Sequence, residues 1–171
     1  MTTIVIDLKN KEVAADRQRT LELGAVIGRQ DVCKIHQPED GVIFVGCGSS
    51  CEILKQLKYF TSNGMVYHKP TMEVTLAICK SRGDTLIVDI YTYKPPNFLG
   101  KALGLCGSFE RETVNGGGVV TMGSGGDYAM GAFGAGKSAA ESVRVASMCD
   151  EFTSYEVDVF NFDTGALSEL Q

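Results

Sequence analysis

Short segments in which apolar and β-branched residues alternate with polar ones recur along the chain, a pattern typical of β-strands. Residues 3–8 alternate in this way, Asn10 and Lys11 form a predicted turn, and residues 12–16 return as the hairpin partner. The same criteria predict further strands at residues 32–36, 41–45, 74–79, 85–91, 119–122 and 155–162. The apolar segment 21–27, which contains a glycine, is assigned no element.

Helical spacing of apolar residues is found in three places. The first helix can be capped by Ser49 or Ser50 and ends near Gly64. Its predicted buried face consists of Ile53, Leu54, Leu57 and Phe60. A helix of small residues begins at Asp127, and another covers residues 138–149.

The order of these elements is strands, one helix, strands, two helices and a strand. Because strands and helices do not alternate, the order predicts an α+β or sandwich arrangement. Residues 93–117 follow no clear period and are predicted to form an irregular insertion in a single domain spanning residues 1–171.

Composition narrows the classes of function. The chain has 171 residues, 44% apolar residues and a net charge of −5, which suits one soluble globular domain and argues against a basic nucleic-acid surface. No apolar run is long enough to cross a membrane, and the N-terminus has no signal-peptide pattern. We therefore expect a cytoplasmic protein that binds neither nucleic acid nor membrane.

Six cysteines are scattered through apolar stretches, as expected for reduced thiols. Cys33 and His36, followed by Cys47 and Cys51, loosely imitate the spacing of a zinc site. If residues 33–36 form a strand, positions three apart face opposite sides and cannot share an ion. We predict no metal and no cofactor.

Thr2 can become a nucleophile if Met1 is removed. An initiator methionine before a small residue is commonly cleaved, and removal would place a free α-amine beside the Thr2 hydroxyl. The amine can accept the proton that the hydroxyl loses when it attacks, and a threonine paired with its own N-terminus is a known variant of the nucleophile–base pair. The alternative is that Thr2 only begins an edge strand.

Several motifs resemble one family in its order along the chain. The sequence TTIV at residues 2–5 resembles the mature N-terminus of HslV, the bacterial proteasome-like peptidase, and DRQRT at 16–20 resembles the segment after its second strand. Lys34 stands at the family's spacing from Thr2, and Val42, Ile43 and Gly48 resemble the oxyanion loop. GSGGDYA at 123–129 and DEFT at 150–153 resemble two further family motifs.

The resemblance implies a four-layer αββα sandwich of two antiparallel sheets, the N-terminal nucleophile hydrolase fold of the proteasome β/HslV type. It implies peptide-bond hydrolysis by Thr2, with Lys34 beside it and Asp16 orienting the lysine. It also implies roles for four residues around the threonine amine and the oxyanion: Gly48, Ser124, Asp150 and Thr153. Contacts with substrate are implied for Thr20, Gly46 and Cys47.

The implied partners are polypeptide substrates, further copies of the chain in a closed homo-oligomeric ring, and an ATP-dependent unfoldase. The chain departs from the family in having Ser49 where the oxyanion loop has a second glycine. Between the first helix and the strand at residue 74 there is little room for the family's second long helix, so we expect one reduced helical layer.

Two other functions compete. Residues 131–138 (GAFGAGKS) match the phosphate-binding loop of nucleotide hydrolases, but no strand immediately precedes them, and Ser138 with Glu141 has the spacing of a capping box. A nucleotide-binding protein is therefore the weaker alternative. The stronger alternative is a catalytically silent relative, with a structural or assembly role, in which Met1 is retained.

Overall fold

Twelve strands and four helices make up the fold in the computed structural model, which describes residues 2–23, 26–66, 70–102 and 107–170, without the side chains of 19–30 and 101. In chain order they are β1 (Thr3–Asp7), β2 (Glu12–Asp16), β3 (Gln18–Leu23), β4 (Val26–Asp31), β5 (His36–Glu39), β6 (Val42–Gly48), α1 (Ser50–Asn63), β7 (Val74–Arg82), β8 (Thr85–Lys94), α2 (Phe98–Ala102), β9 (Ser108–Asn115), β10 (Val119–Gly123), α3 (Gly126–Gly134), α4 (Ala139–Ser147), β11 (Val157–Asn161) and β12 (Ala166–Leu170).

Two antiparallel sheets of five strands each lie face to face. Their strand orders are β10-β1-β2-β11-β12 and β5-β6-β7-β8-β9, while β3 and β4 form a separate hairpin. Alternation along the strands divides the core. Ile4 and Ile6 of β1 pack between the sheets with Ile43 and Val45 of β6, whereas Val5 faces outward.

Helices cover the outer face of each sheet. On the first sheet, Val5 packs against Ala139, Val143 and Ala146 of α4. The small alanines allow the helix to approach the strands closely. On the second sheet, Phe60 of α1 packs with residues of β6 and β7. The result is the expected αββα sandwich, and over the described residues its second helical layer is built on α1.

The buried face of α1 agrees with the prediction in part, since Ile53, Leu57 and Phe60 pack against the second sheet but Leu54 does not. Its fully buried residues are Glu52, Gln56 and Phe60, while Leu54 is 53% exposed. Glu52 can be buried because its carboxylate accepts hydrogen bonds from the Thr71 amide at 3.3 Å and the Thr71 hydroxyl at 3.1 Å. The predicted end is confirmed, since Gly64 adopts a left-handed conformation with φ of 67°.

The prediction that residues 93–117 are irregular is wrong. This segment includes α2 and the edge strand β9, which pairs with β8 along its whole length. No apolar period marks β9 because its residues are mostly exposed and charged. Its polar side chains instead bind across the sheet: Arg111 and Thr113 donate to Asp89 at 3.0 and 2.6 Å.

Other boundaries also differ. The strand predicted at residues 32–36 is wrong, because β4 ends at Asp31 and β5 begins at His36. The β3–β4 hairpin was not predicted. Neither was β12, whose five residues are all exposed and so carry no alternation.

The phosphate-loop alternative is contradicted by the local structure. Residues 126–134 are helical, so the first glycine of the motif, Gly131, lies inside α3. Ser138 caps α4: its hydroxyl accepts from the Glu141 amide at 3.3 Å, and its own amide donates to the Glu141 carboxylate at 3.0 Å. Lys137 is half-exposed beside Glu141. The strand–loop–helix context that phosphate binding needs is missing here.

Candidate active site

Thr2 lies at the entrance to β1, with its side chain largely buried at 7% exposure. The neighbouring strand β10 ends at Gly123, which pairs with Thr3 and has a φ of 91°. A β-carbon at position 123 would collide with the Thr2 carbonyl oxygen. The glycine therefore lets β10 approach the backbone of Thr2 closely and fixes where that residue sits.

Asp16 is the last residue of β2 and is fully buried. One carboxylate oxygen, Oδ1, accepts from Lys34 Nζ and from the Thr3 amide, both at 2.7 Å. The other, Oδ2, accepts from the amides of Gln18 at 3.0 Å and Ser154 at 3.3 Å. Four donors compensate the burial of the charge and hold the carboxylate in one orientation.

Lys34 reaches this carboxylate from the segment before β5, and its side chain is only 11% exposed. Burial lowers the pKa of its ammonium below the usual value, and the adjacent Asp16 carboxylate opposes that shift. The structure thus brings together Thr2, Asp16 and Lys34, as predicted from the sequence: Lys34 lines the same cavity as Thr2.

A second polar cluster surrounds Asp150, just after α4. Its Oδ2 accepts from the hydroxyls of Ser124 at 2.6 Å and Thr153 at 2.7 Å, and its Oδ1 accepts from the Phe152 amide at 3.2 Å. Burial alone would raise the pKa of Asp150, but these hydrogen bonds outweigh it and lower the pKa. The Thr153 hydroxyl lies 2.6 Å from that of Thr3, so the cluster reaches the start of β1.

Gly48 ends β6 with a φ of 106°. A β-carbon there would lie 2.7 Å from the Glu73 carbonyl oxygen, so the position favours glycine for both conformation and space. The amide of the next residue, Ser49, donates to Glu73 at 3.2 Å. Gly48 also lines the same cavity as Thr2 and Lys34.

A cavity of about 130 Å³ opens beside Thr2. It is lined by Thr2, Val32, Cys33, Lys34, His36, Gly46, Gly48, Ser50, Ile53 and Leu54. Gly46 is tightly packed in its wall, since a β-carbon there would lie 2.8 Å from Leu76 and 3.2 Å from Ile53. Burial lowers the pKa of His36, which favours its neutral form. With Val32, Ile53 and Leu54, the wall of the cavity is mainly apolar.

The three predicted substrate contacts are placed differently. Gly46 lines the cavity. Cys47 is partly buried and packs against the core between the sheets, where burial raises its pKa to about 11. Thr20 belongs to β3, and its side chain lies outside the described residues.

Sequence reasoning missed the backbone donors to Asp16 and most of the cavity wall. The amides of Gln18 and Ser154 carry no signal in their residue types. His36 and Ile53 come from different elements and meet only in the folded chain. Thr3 was recognised only as part of a motif, although its amide and hydroxyl both join the site.

In the described part of the chain, no group of three or more His, Cys, Asp or Glu side chains is placed to hold a metal ion. None of the described helices combines the length and apolar character needed to cross a membrane.

Comparison with known proteins connects this geometry to a fold. No family model matches the sequence, and no curated protein matches it. Solved structures do match: the chain superposes on eukaryotic HslV from Trypanosoma brucei with a TM-score of 0.57 and 20% identity, covering 92% of this chain and 97% of that one. The chain has an HslV-like fold. The match confirms the predicted proteasome β/HslV architecture.

Proposed function

We propose that this HslV-like chain is a threonine peptidase whose nucleophile is Thr2, exposed by removal of Met1. The observation that carries the proposal is the shared Asp16 oxygen. It binds Lys34 Nζ and the Thr3 amide, each at 2.7 Å, and so couples a buried lysine to the backbone beside Thr2. A buried ion pair often contributes little net stability, because the two charges lose their hydration. Stability alone therefore does not account for this pair at the end of a strand.

The chemistry divides between the amine and the lysine. The α-amine has an ordinary pKa near 7.7–8.0 and is suited to accept the Thr2 hydroxyl proton at neutral pH. The Lys34 ammonium would stabilise negative charge on the threonine oxygen and would disfavour protonation of the amine. Thr2 Oγ would then form an ester bond with the substrate carbonyl carbon, the leaving amine would take the proton, and water would hydrolyse the ester.

The Gly48 amide would stabilise the oxyanion that forms during this attack. Gly48 lines the cavity that it shares with Thr2 and Lys34, which supports this role. Preorganised amide donors of this kind commonly supply a large share of the catalysis of acyl transfer. The Asp150 cluster, with Ser124 and Thr153, would hold the amine in position.

The cavity beside Thr2 would receive the substrate side chain next to the scissile bond. Its apolar wall and its volume of about 130 Å³ suit an apolar side chain of moderate size. Substitution of Gly46 would alter this wall, because a β-carbon there would press on Leu76 and on Ile53, which lines the cavity.

A closed ring of further copies would protect other proteins from such a site. We infer a cyclic homo-oligomer, in which symmetry-related interfaces close the assembly. Folded substrates could enter an enclosed chamber only after unfolding, which gives an ATP-dependent unfoldase a role as partner. Light scattering that found only monomers at micromolar concentration would contradict the ring.

The test of function is hydrolysis of a small fluorogenic peptide, which reaches an enclosed site without an unfoldase. Thr2→Ala should abolish cleavage and leave assembly unchanged, whereas Thr2→Ser should keep partial activity because it keeps a hydroxyl. Thr113→Ala, an exposed threonine on β9, is the matched control and should cleave at the parental rate. An assembled parent that cleaves nothing would instead favour the catalytically silent alternative.

A further inference from the structure

Thr3, the residue after the proposed nucleophile, is fully buried and is held at both ends. Its amide donates to Asp16 Oδ1 at 2.7 Å, and its hydroxyl oxygen lies 2.6 Å from Thr153 Oγ1. Asp16 is the partner of Lys34, and Thr153 is a donor to Asp150. Thr3 therefore contacts both carboxylate clusters, which also adjoin through the neighbouring residues Thr153 and Ser154.

The direction of the hydroxyl bond follows from the number of available protons. Asp150 Oδ2 accepts from Ser124 and Thr153 at 2.6 and 2.7 Å, and an ionised carboxylate can only accept. Thr153 has a single hydroxyl proton, and this contact uses it. Thr3 must therefore be the donor to Thr153, and its own hydroxyl has one role that no apolar side chain can replace.

The surroundings of that hydroxyl are shaped for it. A β-carbon at Gly125 would collide with Thr3 Oγ1 and would lie 3.0 Å from Thr153 Oγ1. Gly125 has a φ of −87°, which any residue can adopt, so the need for glycine here is one of space and not of conformation. The chain thus leaves room at this position for the bond between the two threonines.

We propose that Thr3 is a positioning residue, whose hydroxyl bond to Thr153 and amide bond to Asp16 together set the orientation of Thr2 relative to Lys34. The inference rests on the proposed function, since it concerns the rate at which Thr2 attacks. The peptide unit between Thr2 and Thr3 is fixed by Asp16 on one side and Gly123 on the other. Losing the hydroxyl anchor would let the start of β1 shift while the rest of the cavity wall, which comes from other elements, stays in place.

The experiment compares kcat and KM for a fluorogenic peptide in assembled variants. Thr3→Val keeps the shape and removes the hydroxyl, and should lower kcat by about tenfold or more while KM stays within about twofold. Thr3→Ser restores the donor and should return kcat to within about threefold of the parent. Thr113→Val removes another hydroxyl hydrogen bond, the one from Thr113 to the Asp89 carboxylate on the second sheet, and should leave both constants unchanged. Gly125→Ala, which would displace the Thr3 hydroxyl, should lower kcat as Thr3→Val does and serves in its place if that variant does not fold.

The outcomes separate this inference from the proposed function. A parental kcat in Thr3→Val, or in Gly125→Ala when that variant replaces it, overturns this inference but not the proposed function. The same holds if Thr3→Ser loses as much kcat as Thr3→Val, or if Thr3→Val changes only KM. A correctly assembled parent without any peptidase activity overturns the proposed function and this inference with it.

Discussion

Asp16 and Lys34 form a buried pair, and substituting one should lower the free energy of unfolding more than substituting the other. Asp16 is fully buried, and without the lysine its carboxylate still accepts from three backbone amides, those of Thr3, Gln18 and Ser154. Lys34→Met should therefore cost only about 1–3 kcal/mol in the free energy of unfolding. Asp16→Asn should cost about 3–5 kcal/mol, since it removes the charge that compensates a buried ammonium and turns an NH2 group towards amide donors.

The assay is chemical denaturation of the assembled protein, followed by peptide cleavage on the same preparations. We expect Lys34→Met to abolish cleavage almost completely, and Asp16→Asn to retain an intermediate rate, because the lysine remains in the site but loses its orienting partner. Thus the less stable variant should be the more active one. If Lys34→Met proved more destabilising than Asp16→Asn, or cleaved the peptide at the parental rate, the reasoning about this pair would be refuted.

Three other predictions concern single sites. Ser138→Ala should lower the free energy of unfolding by about 1 kcal/mol through loss of the helix cap, whereas Lys137→Ala should leave it unchanged; ATP binding that depends on Lys137 would contradict this. Gly48→Ala should cost about 1–3 kcal/mol, because it combines a φ of 106° with contact to Glu73, and should also reduce kcat; parental thermal stability would count against it. Because the pKa of Asp150 is lowered in the folded protein, its carboxylate adds stability that is complete above the ordinary pKa of about 3.9 and is lost as the pH falls through the lowered value. Asp150→Asn should therefore weaken the acid dependence of thermal unfolding. An unchanged pH profile in this variant would contradict the prediction.

The layered fold could be predicted largely because its central strands carry strong local patterns. β1 and β6 are buried and rich in β-branched residues, which is typical of central strands. The edge strands β9 and β12 could not be predicted in this way. Their residues are mostly exposed on both sides, so their pairing depends on neighbouring strands and not on a hydrophobic period.

The candidate site was predictable only where its residues belong to a motif. Thr2, Asp16 and Lys34 were assigned together, and the structure brings them together around one carboxylate oxygen and one cavity. The buried Glu52 was not predictable, because its partner Thr71 lies in a segment with no period of its own. The same holds for the cavity wall, which forms from residues that meet only after the sheet and α1 have packed.

The most direct test of the central claim is mass spectrometry of the assembled protein after incubation with an acylating peptide ester that is hydrolysed slowly. Attack by Thr2 Oγ would form an ester with the acyl group and release the alcohol, and the proteolytic N-terminal fragment would carry that added mass. We predict a mature chain beginning at Thr2, with the acyl group on that residue and no such adduct in Thr2→Ala. An intact chain that retains Met1 and carries no acyl group on Thr2 would contradict the account.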